Sequence, residues 1–298
     1  MGADSGRKLQ PQWIVDVPLK EVSGICFDQG RGGRGSLLAV GDRVAVAARL
    51  DLARVDDEEL DWELTPIERL AGSRLPRRDP QVEAIAVDRA GRVLLLQETP
   101  PRAELVDLVA SRTVASFTLE VPGDDDVAAS WSDPDGSRGE GVLLLADGHL
   151  LVAKEKKPSA LIEFGPPGSR PRGLPKRTPT AAQPWPVRPG DHRYVALAVW
   201  QPDANLRKIC KDFSDLDVGP DGRLYVLSDK SASIARLGTL ARGGGVVSAE
   251  ASWTIRGLKG KPEGLAFAPD GRAVVGMDTK KARRNLAVLE PAIATTRR

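Results

Sequence analysis

The sequence predicts an all-β protein: a single β-propeller over residues 1–298, with its ring closed by its own N-terminal strand. Three observations carry that expectation. A hairpin-like stretch recurs along the chain at a fixed internal spacing, each recurrence is flanked by two further short apolar runs, and the last recurrence lacks the strand that the first has to spare.

The hairpins come first. The cleanest copy runs from Pro262 through Glu263-Gly264-Leu265-Ala266-Phe267 to Asp270-Gly271 and on to Asp278. Apolar runs on either side of an Asp-Gly pair are a strong signal for a two-residue hairpin turn. Further copies open at Ser214 (Asp221-Gly222, closing at Asp229), at Glu140 (Asp147-Gly148, closing at Glu155) and at Glu83 (Ala90-Gly91, closing at Glu98). In all four the closing acid lies 15 residues after the opening position. A turn centred on the X-Gly pair therefore sets Glu83 opposite Glu98, Glu140 opposite Glu155, Ser214 opposite Asp229 and Glu263 opposite Asp278. A fifth copy begins at Glu21-Val22-Ser23-Gly24 and reaches Asp42 through a glycine-rich lengthening at 30–35.

The flanking strands complete each unit. Short apolar runs precede the hairpins at 12–17, 116–119, 194–198 and 252–255, with a weaker one at 63–67 that Pro66 interrupts; others follow at 44–47, 104–107, 160–163, 234–237 and 286–289. Four short strands per repeat is the content of one propeller blade. Five repeats predict five blades. The 74 residues between Glu140 and Ser214 leave room for a degenerate sixth, although no hairpin is evident there. The last repeat ends without a fourth strand and the run at 12–17 stands before the first, so the two together complete one blade and leave no open edge.

Composition narrows the partners. Lys+Arg 43 against Asp+Glu 41 gives no broad field for nucleic acid or a membrane surface, and 41% hydrophobic residues suffice for a large core. The first twenty residues lack a continuous apolar stretch and no run reaches the ~18 apolar residues of a membrane span, so a cytoplasmic monomer is expected. Cys26 and Cys210 read as free thiols, with no Cys-x-x-Cys spacing for a metal. The segment 165–190 is rich in proline and basic residues. It reads as a solvated excursion, with a docking loop for an acidic or polyproline-binding partner as the alternative. The acidic run 56–59 with Asp61 and Glu63 reads as a solvated outer loop, and Lys280-Lys281 with Arg283-Arg284 as too small a patch for nucleic acid.

In a propeller the first strand of each blade lines the channel, so the opening positions gather at one mouth. That places Glu83, Glu140 and Glu263 around the axis as candidate metal ligands. Glu98, Glu155, Asp229 and Asp278 lie one row outward, with Glu21 and Asp212 two positions before the serines that open the other two blades. Like charges facing one another in a sheet are destabilising. Three things relieve such crowding: a hard cation such as Ca²⁺ or Mg²⁺, protons shared among carboxylates, or pairing with Arg138, Lys154, Lys156, Lys230 and Lys261. His149 and His192 read as surface histidines. No Gly-x-Ser-x-Gly elbow or phosphate-cradling glycine loop with its lysine appears, and Gly243-Gly244-Gly245 reads as a flexible turn. Any catalysis is then metal-assisted hydrolysis with a carboxylate base.

At five stretches the chain resembles the SdiA-regulated family of bacterial β-propellers. These are Glu21-Val22-Ser23-Gly24-Ile25, Gly139-Glu140-Gly141-Val142, Leu151 to Pro158 with its Lys-Glu-Lys-x-Pro, Leu224 to Asp229, and Pro262-Glu263-Gly264-Leu265-Ala266. The Glu-Gly pieces also occur in propellers described as phytase-like esterases. The resemblance implies a propeller with a calcium site in the channel and no established reaction; Asp215 departs from it, since the family has glycine after that serine. Two functions stand. One is a non-catalytic propeller binding a small molecule or protein at an acid-lined mouth around Ca²⁺ or Mg²⁺. The other is a metal-dependent hydrolase of esters, lactones or phosphoesters using the same carboxylates.

Overall fold

In the computed structural model the described residues are 5–29, 35–51, 60–177, 184–268 and 270–291. The chain begins with β1 (Ser5–Leu9) and β2 (Pro11–Val15). Four-stranded antiparallel units follow. The first is β3 (Val22–Asp28), β4 (Ser36–Gly41), β5 (Val44–Asp51) and β6 (Trp62–Pro66). The second is β7 (Val82–Val87), β8 (Val93–Gln97), β9 (Arg102–Asp107) and β10 (Arg112–Glu120). After helix α1 (Asp126–Ser132), capped by the Asp125 carboxylate on Ala128 N, the third is β11 (Gly139–Leu144), β12 (Leu150–Lys154), β13 (Ala160–Gly165) and β14 (Gly190–Pro202). Helix α2 (Ala204–Ile209) leads to β15 (Asp215–Val218), β16 (Leu224–Ser228), β17 (Ser233–Leu237), the short β18 (Gly245–Val247) and β19 (Ala249–Ile255). The last unit is β20 (Lys261–Phe267), β21 (Ala273–Asp278) and β22 (Leu286–Leu289).

β2 supplies the fourth strand of that last unit, pairing antiparallel with β22. The sequence led to this closure; it did not lead to the second one, in which β1 adds a parallel fifth strand beside β19. Strand β3 packs on β7, β7 on β11, β11 on β15, β15 on β20 and β20 back on β3, a closed ring of first strands. The second strands β8, β12 and β16 are buried at every position. Each is covered on both faces by neighbouring units, which is why they read as continuous apolar runs without alternation. The core accordingly lies between units. One cluster joins Leu94, Leu96 and Phe117 of the second unit to Val142, Val152 and Phe164 of the third.

The hairpins form where expected, but with a different register. Asp88 N donates to Arg92 O and Gly91 N to Asp88 O, so the loop has three residues. The same pattern joins Leu145 to His149, Gly219 to Arg223 and Ala268 to Arg272. The glycine of each loop sits at φ +74 to +90, the left-handed position that ends this loop type. In three of them the loop aspartate accepts the N–H two residues on: Asp147 from His149, Asp221 from Arg223, Asp270 from Arg272. Pairing therefore runs one residue away from the expected register, and a bulge then falls at the opening position. Val82 pairs with Gln97 and Ala84 with Leu96, leaving Glu83 unpaired between them; Glu140, Glu263 and Ser23 sit in the same kind of bulge. The expected partnerships Glu83–Glu98, Glu140–Glu155 and Glu263–Asp278 do not form, and neither does Ser214–Asp229, since Ser214 N donates to Leu227 O.

The described parts of the proline-rich segment, 165–177 and 184–190, are mostly exposed but form a strap pinned to the body at Leu174 and Trp185. Trp185 is 1% exposed; its backbone N–H donates to Asp88 Oδ2 at 2.9 Å and its indole to Leu145 O at 3.0 Å. Arg92 clamps Trp185 O from the second unit, and Leu174 pairs with Leu240 in the fourth. The acidic run 56–59 and the glycine-rich 30–34 lie outside the described residues, as do 178–183. Among the described residues no helix is long and apolar enough to cross a membrane.

Candidate acid-lined site at the channel mouth

The bulges at Glu83, Glu140 and Glu263 stand at the starts of three first strands. All three residues line one cavity of about 940 Å³ at one end of the ring. Glu98, Glu155, Asp229 and Asp278 line it too, so seven of the nine acids singled out in the sequence share the cavity. The other two do not. Glu21 accepts from Arg43 Nε at 2.6 Å on the outside. Asp212 is fully buried, accepting from Ser228 Oγ at 2.6 Å and pairing with Lys230 at 3.4 Å.

The acids differ in how they are satisfied. Glu98 accepts Arg138 N at 3.0 Å, Glu155 accepts Ser137 Oγ at 2.9 Å and pairs with Lys156, and Asp278 lies 3.8 Å from Lys261. Glu263 has only the same lysine, at 4.0 Å. Among the described residues the carboxylates of Glu83 and Glu140 have no hydrogen-bond or ion-pair partner, although Glu83 is 9% exposed. Two cations expected to neutralise the mouth do other work. The Arg138 guanidinium binds Trp131 O, Asp133 O and Thr99 Oγ1, closing off the end of α1. Buried Lys154 donates to Lys156 O at 2.6 Å.

Burial in a crowd of like charges holds the acids toward their neutral forms. Desolvation pushes Glu140 well above the ordinary carboxylate range, helped by the charge of Glu83. Glu83 is raised in the same way, with Asp42 and Glu98 adding to burial. Burial and Asp278 lift Glu263 to about 8. Burial lowers Lys154 to about 8.

Sequence reasoning missed Asp42 as a member of the site. It closes the fifth hairpin and lines the cavity, with burial raising it to about 6 and its Oδ1 left buried without a partner. Its place at the close of the fifth hairpin pointed to it, but the lengthened turn took it off the 15-residue spacing of the other closing acids. Asp133, Asp135 and Ser137, from the segment after α1, had no signal in the repeat.

Below the mouth the first strands come closest. A Cβ on Gly141 would lie 2.9 Å from Asp215 Cα, and the Asp215 and Asp217 carboxylates cross to β20, accepting Leu265 N at 2.6 Å and Phe267 N at 2.8 Å. The residue that departs from the family pattern thus ties two units together. Burial lifts Asp217 to about 7. A second cavity of about 430 Å³, lined in part by Cys26, Phe27, Asp217 and Phe267, opens beyond this neck.

His149 is buried, against the surface reading. Its Nδ1 lies 2.6 Å from Glu163 Oε1 and 3.7 Å from Asp147 Oδ2, and these three ligand-type atoms lie within 4.8 Å of one another. The group could hold a metal ion. As it stands its oxygens are taken: Glu163 accepts Arg172 N at 2.9 Å and Gly173 N at 3.0 Å, and Arg172 Nε lies 3.2 Å from Asp147. The cluster anchors the strap. His192 stands on β14, stacked on Phe117 at 5.2 Å.

No family model matches the chain, and no curated protein does. Among solved structures, glutaminyl cyclase of Myxococcus xanthus aligns over 96% of this chain and 97% of its own, with a TM-score of 0.56 at 11% identity. The fold is a β-propeller. A streptogramin B lyase aligns over 93% of this chain and 95% of its own, with a TM-score of 0.46 at 10% identity. A protein of unknown function from Bacteroides caccae aligns over 81% of this chain and 65% of its own, with a TM-score of 0.39 at 15% identity. At these identities the likeness concerns the fold alone. The neighbours of this propeller include both enzymes and binding proteins.

Proposed function

We propose that the protein is a binding propeller that takes a divalent cation, Ca²⁺ or Mg²⁺, at its acid-lined mouth, and through it a small molecule or a protein. One observation carries the reading: among the described residues Glu83, Glu140 and Asp229 face a common cavity with no hydrogen-bond or ion-pair partner, while Glu98, Glu155 and Asp278 beside them have theirs. Carboxylates left buried and unpaired cost stability unless protonated or bound to a cation. Hard divalent ions prefer several carboxylate oxygens. Glu83, Glu140 and Glu263 would hold the ion, with Asp42 Oδ1 at hand. Kinship with the SdiA-regulated propellers is part of this proposal and rests on the five sequence stretches given above.

The second reading is a metal-dependent hydrolase of esters, lactones or phosphoesters. It is favoured by the size of the cavity, since about 940 Å³ is ample for a substrate. In that case the metal would activate water and a mouth carboxylate would take its proton. A melting-temperature series with Ca²⁺, Mg²⁺ and Mn²⁺ tests the common part. A ligand bound only by the folded form stabilises it by mass action, so the melting temperature should rise with metal and rise less in Glu140→Gln. Indifference to all three ions at millimolar concentration would defeat both readings. Turnover of a chromogenic ester or phosphoester only with metal present would choose the second.

A further inference from the structure

The mouth does not end at its acids. A groove of about 640 Å³ leads outward from it between the last two units, sharing Asp229, Lys261 and Asp278 with the acid-lined cavity. It is lined by the 256–260 loop between β19 and β20 and by Thr279-Lys280 after β21. Its charge is the reverse of the mouth's. Arg256, Lys259 and Lys280 are exposed, and among the described residues none of them makes an ion pair or side-chain hydrogen bond. By contrast Arg43 on another part of the rim is fully engaged with Glu21 and Asp79.

Two adjoining compartments therefore carry unpaired groups of opposite kind, carboxyls in the mouth and exposed cations in the groove. The deep one holds Glu83, nine-tenths buried and without a partner, and the orphaned Asp42 Oδ1. The outer one holds three free cations. Lys261 lines both compartments, 4.0 Å from Glu263 and 3.8 Å from Asp278. A ligand that satisfies both compartments needs a positive end and a negative end in that order.

We infer that the site takes a small multivalent oxyanion as its divalent-cation chelate, the cation seated on Glu83, Glu140 and Glu263 and the anion's outer oxygens held by Arg256, Lys259 and Lys280. This rests on the cation-binding reading above and adds to it the class of molecule the cation brings. Phosphate and carboxylate oxyanions share the needed chemistry: several oxygens, a net negative charge that survives chelation, and geometry suited to guanidinium and ammonium donors.

The test is calorimetric, on the full chain. The probes are Mn²⁺ alone, diphosphate alone, citrate alone, and the one-to-one Mn²⁺ chelates of each anion. The chelate is expected to bind about tenfold more tightly than Mn²⁺ alone, the factor that three solvent-exposed charge contacts supply together, and the free anions not to bind measurably. Replacing Arg256, Lys259 and Lys280 together by Gln should abolish that gain while leaving Mn²⁺ binding as in the parent, which also shows that the variant is folded. The arm that binds more tightly names the source, diphosphate for a phosphorylated ligand and citrate for a polycarboxylate. If Mn²⁺ binds but neither chelate gains, or the gain survives the triple substitution, the inference falls and cation binding stands. If an anion binds equally well without metal, the inference falls as well. If nothing binds, the cation-binding reading itself is wrong.

Discussion

Glu263→Gln in metal-free buffer isolates the cost of the crowded mouth. Glu263 rises from an ordinary 4.5 to about 8 through burial and Asp278. A carboxyl raised on folding contributes stability that is fully present below 4.5 and is lost as pH climbs toward 8, because the folded chain holds a proton that the unfolded chain releases. At pH 7 the loss amounts to about 3 kcal/mol at about 1.36 kcal/mol per tenfold change in proton affinity. Glu263 is a quarter exposed and its neighbours share the protons, so about 2 kcal/mol is a fair expectation. Replacement by Gln keeps the shape and removes the ionisation. The variant should match the parent at pH 4.5 and melt about 4 °C higher at pH 7 to 8, with a flatter pH profile. Differential scanning calorimetry in chelator-treated buffer from pH 4.5 to 8.5 reads this directly. In millimolar Mn²⁺ the ranking should reverse, since the parent gains a ligand that the variant has lost. Identical pH profiles for parent and variant, or a parent that grows more stable from pH 5 to 8, would refute the reasoning.

Three further outcomes concern the frame that holds the mouth. Trp185→Ala should cost about 3–5 kcal/mol in urea unfolding, because the side chain is 1% exposed and fixes the strap; a loss under 1 kcal/mol would show that the strap is not part of the core. Gly141→Ala should cost about 1–3 kcal/mol, since the new methyl meets the Asp215 backbone, and an unchanged melting temperature would mean that the neck is looser than drawn. Removing residues 1–17 deletes both closing strands and bares the edges of β22 and β19. The truncated chain should lose its cooperative transition and regain it on adding a peptide of residues 5–17, which calorimetry checks; a truncated chain that melts as the parent does would show the N-terminal strands to be dispensable.

Much of this architecture was legible because a repeat shows its strands several times over. The constant spacing found the hairpins, and the missing fourth strand of the last unit pointed to the one at 12–17. The register was not legible. Asp-Gly marks both a two-residue turn and a three-residue loop whose last residue is left-handed, and the choice moves every pair by one. That same shift puts the opening acids in bulges, which free their side chains from cross-strand pairing. So Glu83, Glu140 and Glu263 came together at the mouth for a partly different reason than the one that singled them out. Asp42 was hidden by an insertion. His149 and Trp185 were hidden because their partners, Glu163 on β13 and Asp88 at the loop after β7, lie at separations that no local pattern records. Asp215 stood out only as a departure from a glycine, and its task of binding β20 is tertiary.

The central claim is that the unpartnered carboxylates at the mouth hold a divalent cation. Crystals soaked in Mn²⁺ and measured at a wavelength where manganese scatters anomalously test it most directly. The expected result is one strong peak in the mouth among Glu83, Glu140 and Glu263, absent from crystals of Glu140→Gln. No peak there, or a sole peak at Asp147, His149 and Glu163, would contradict it.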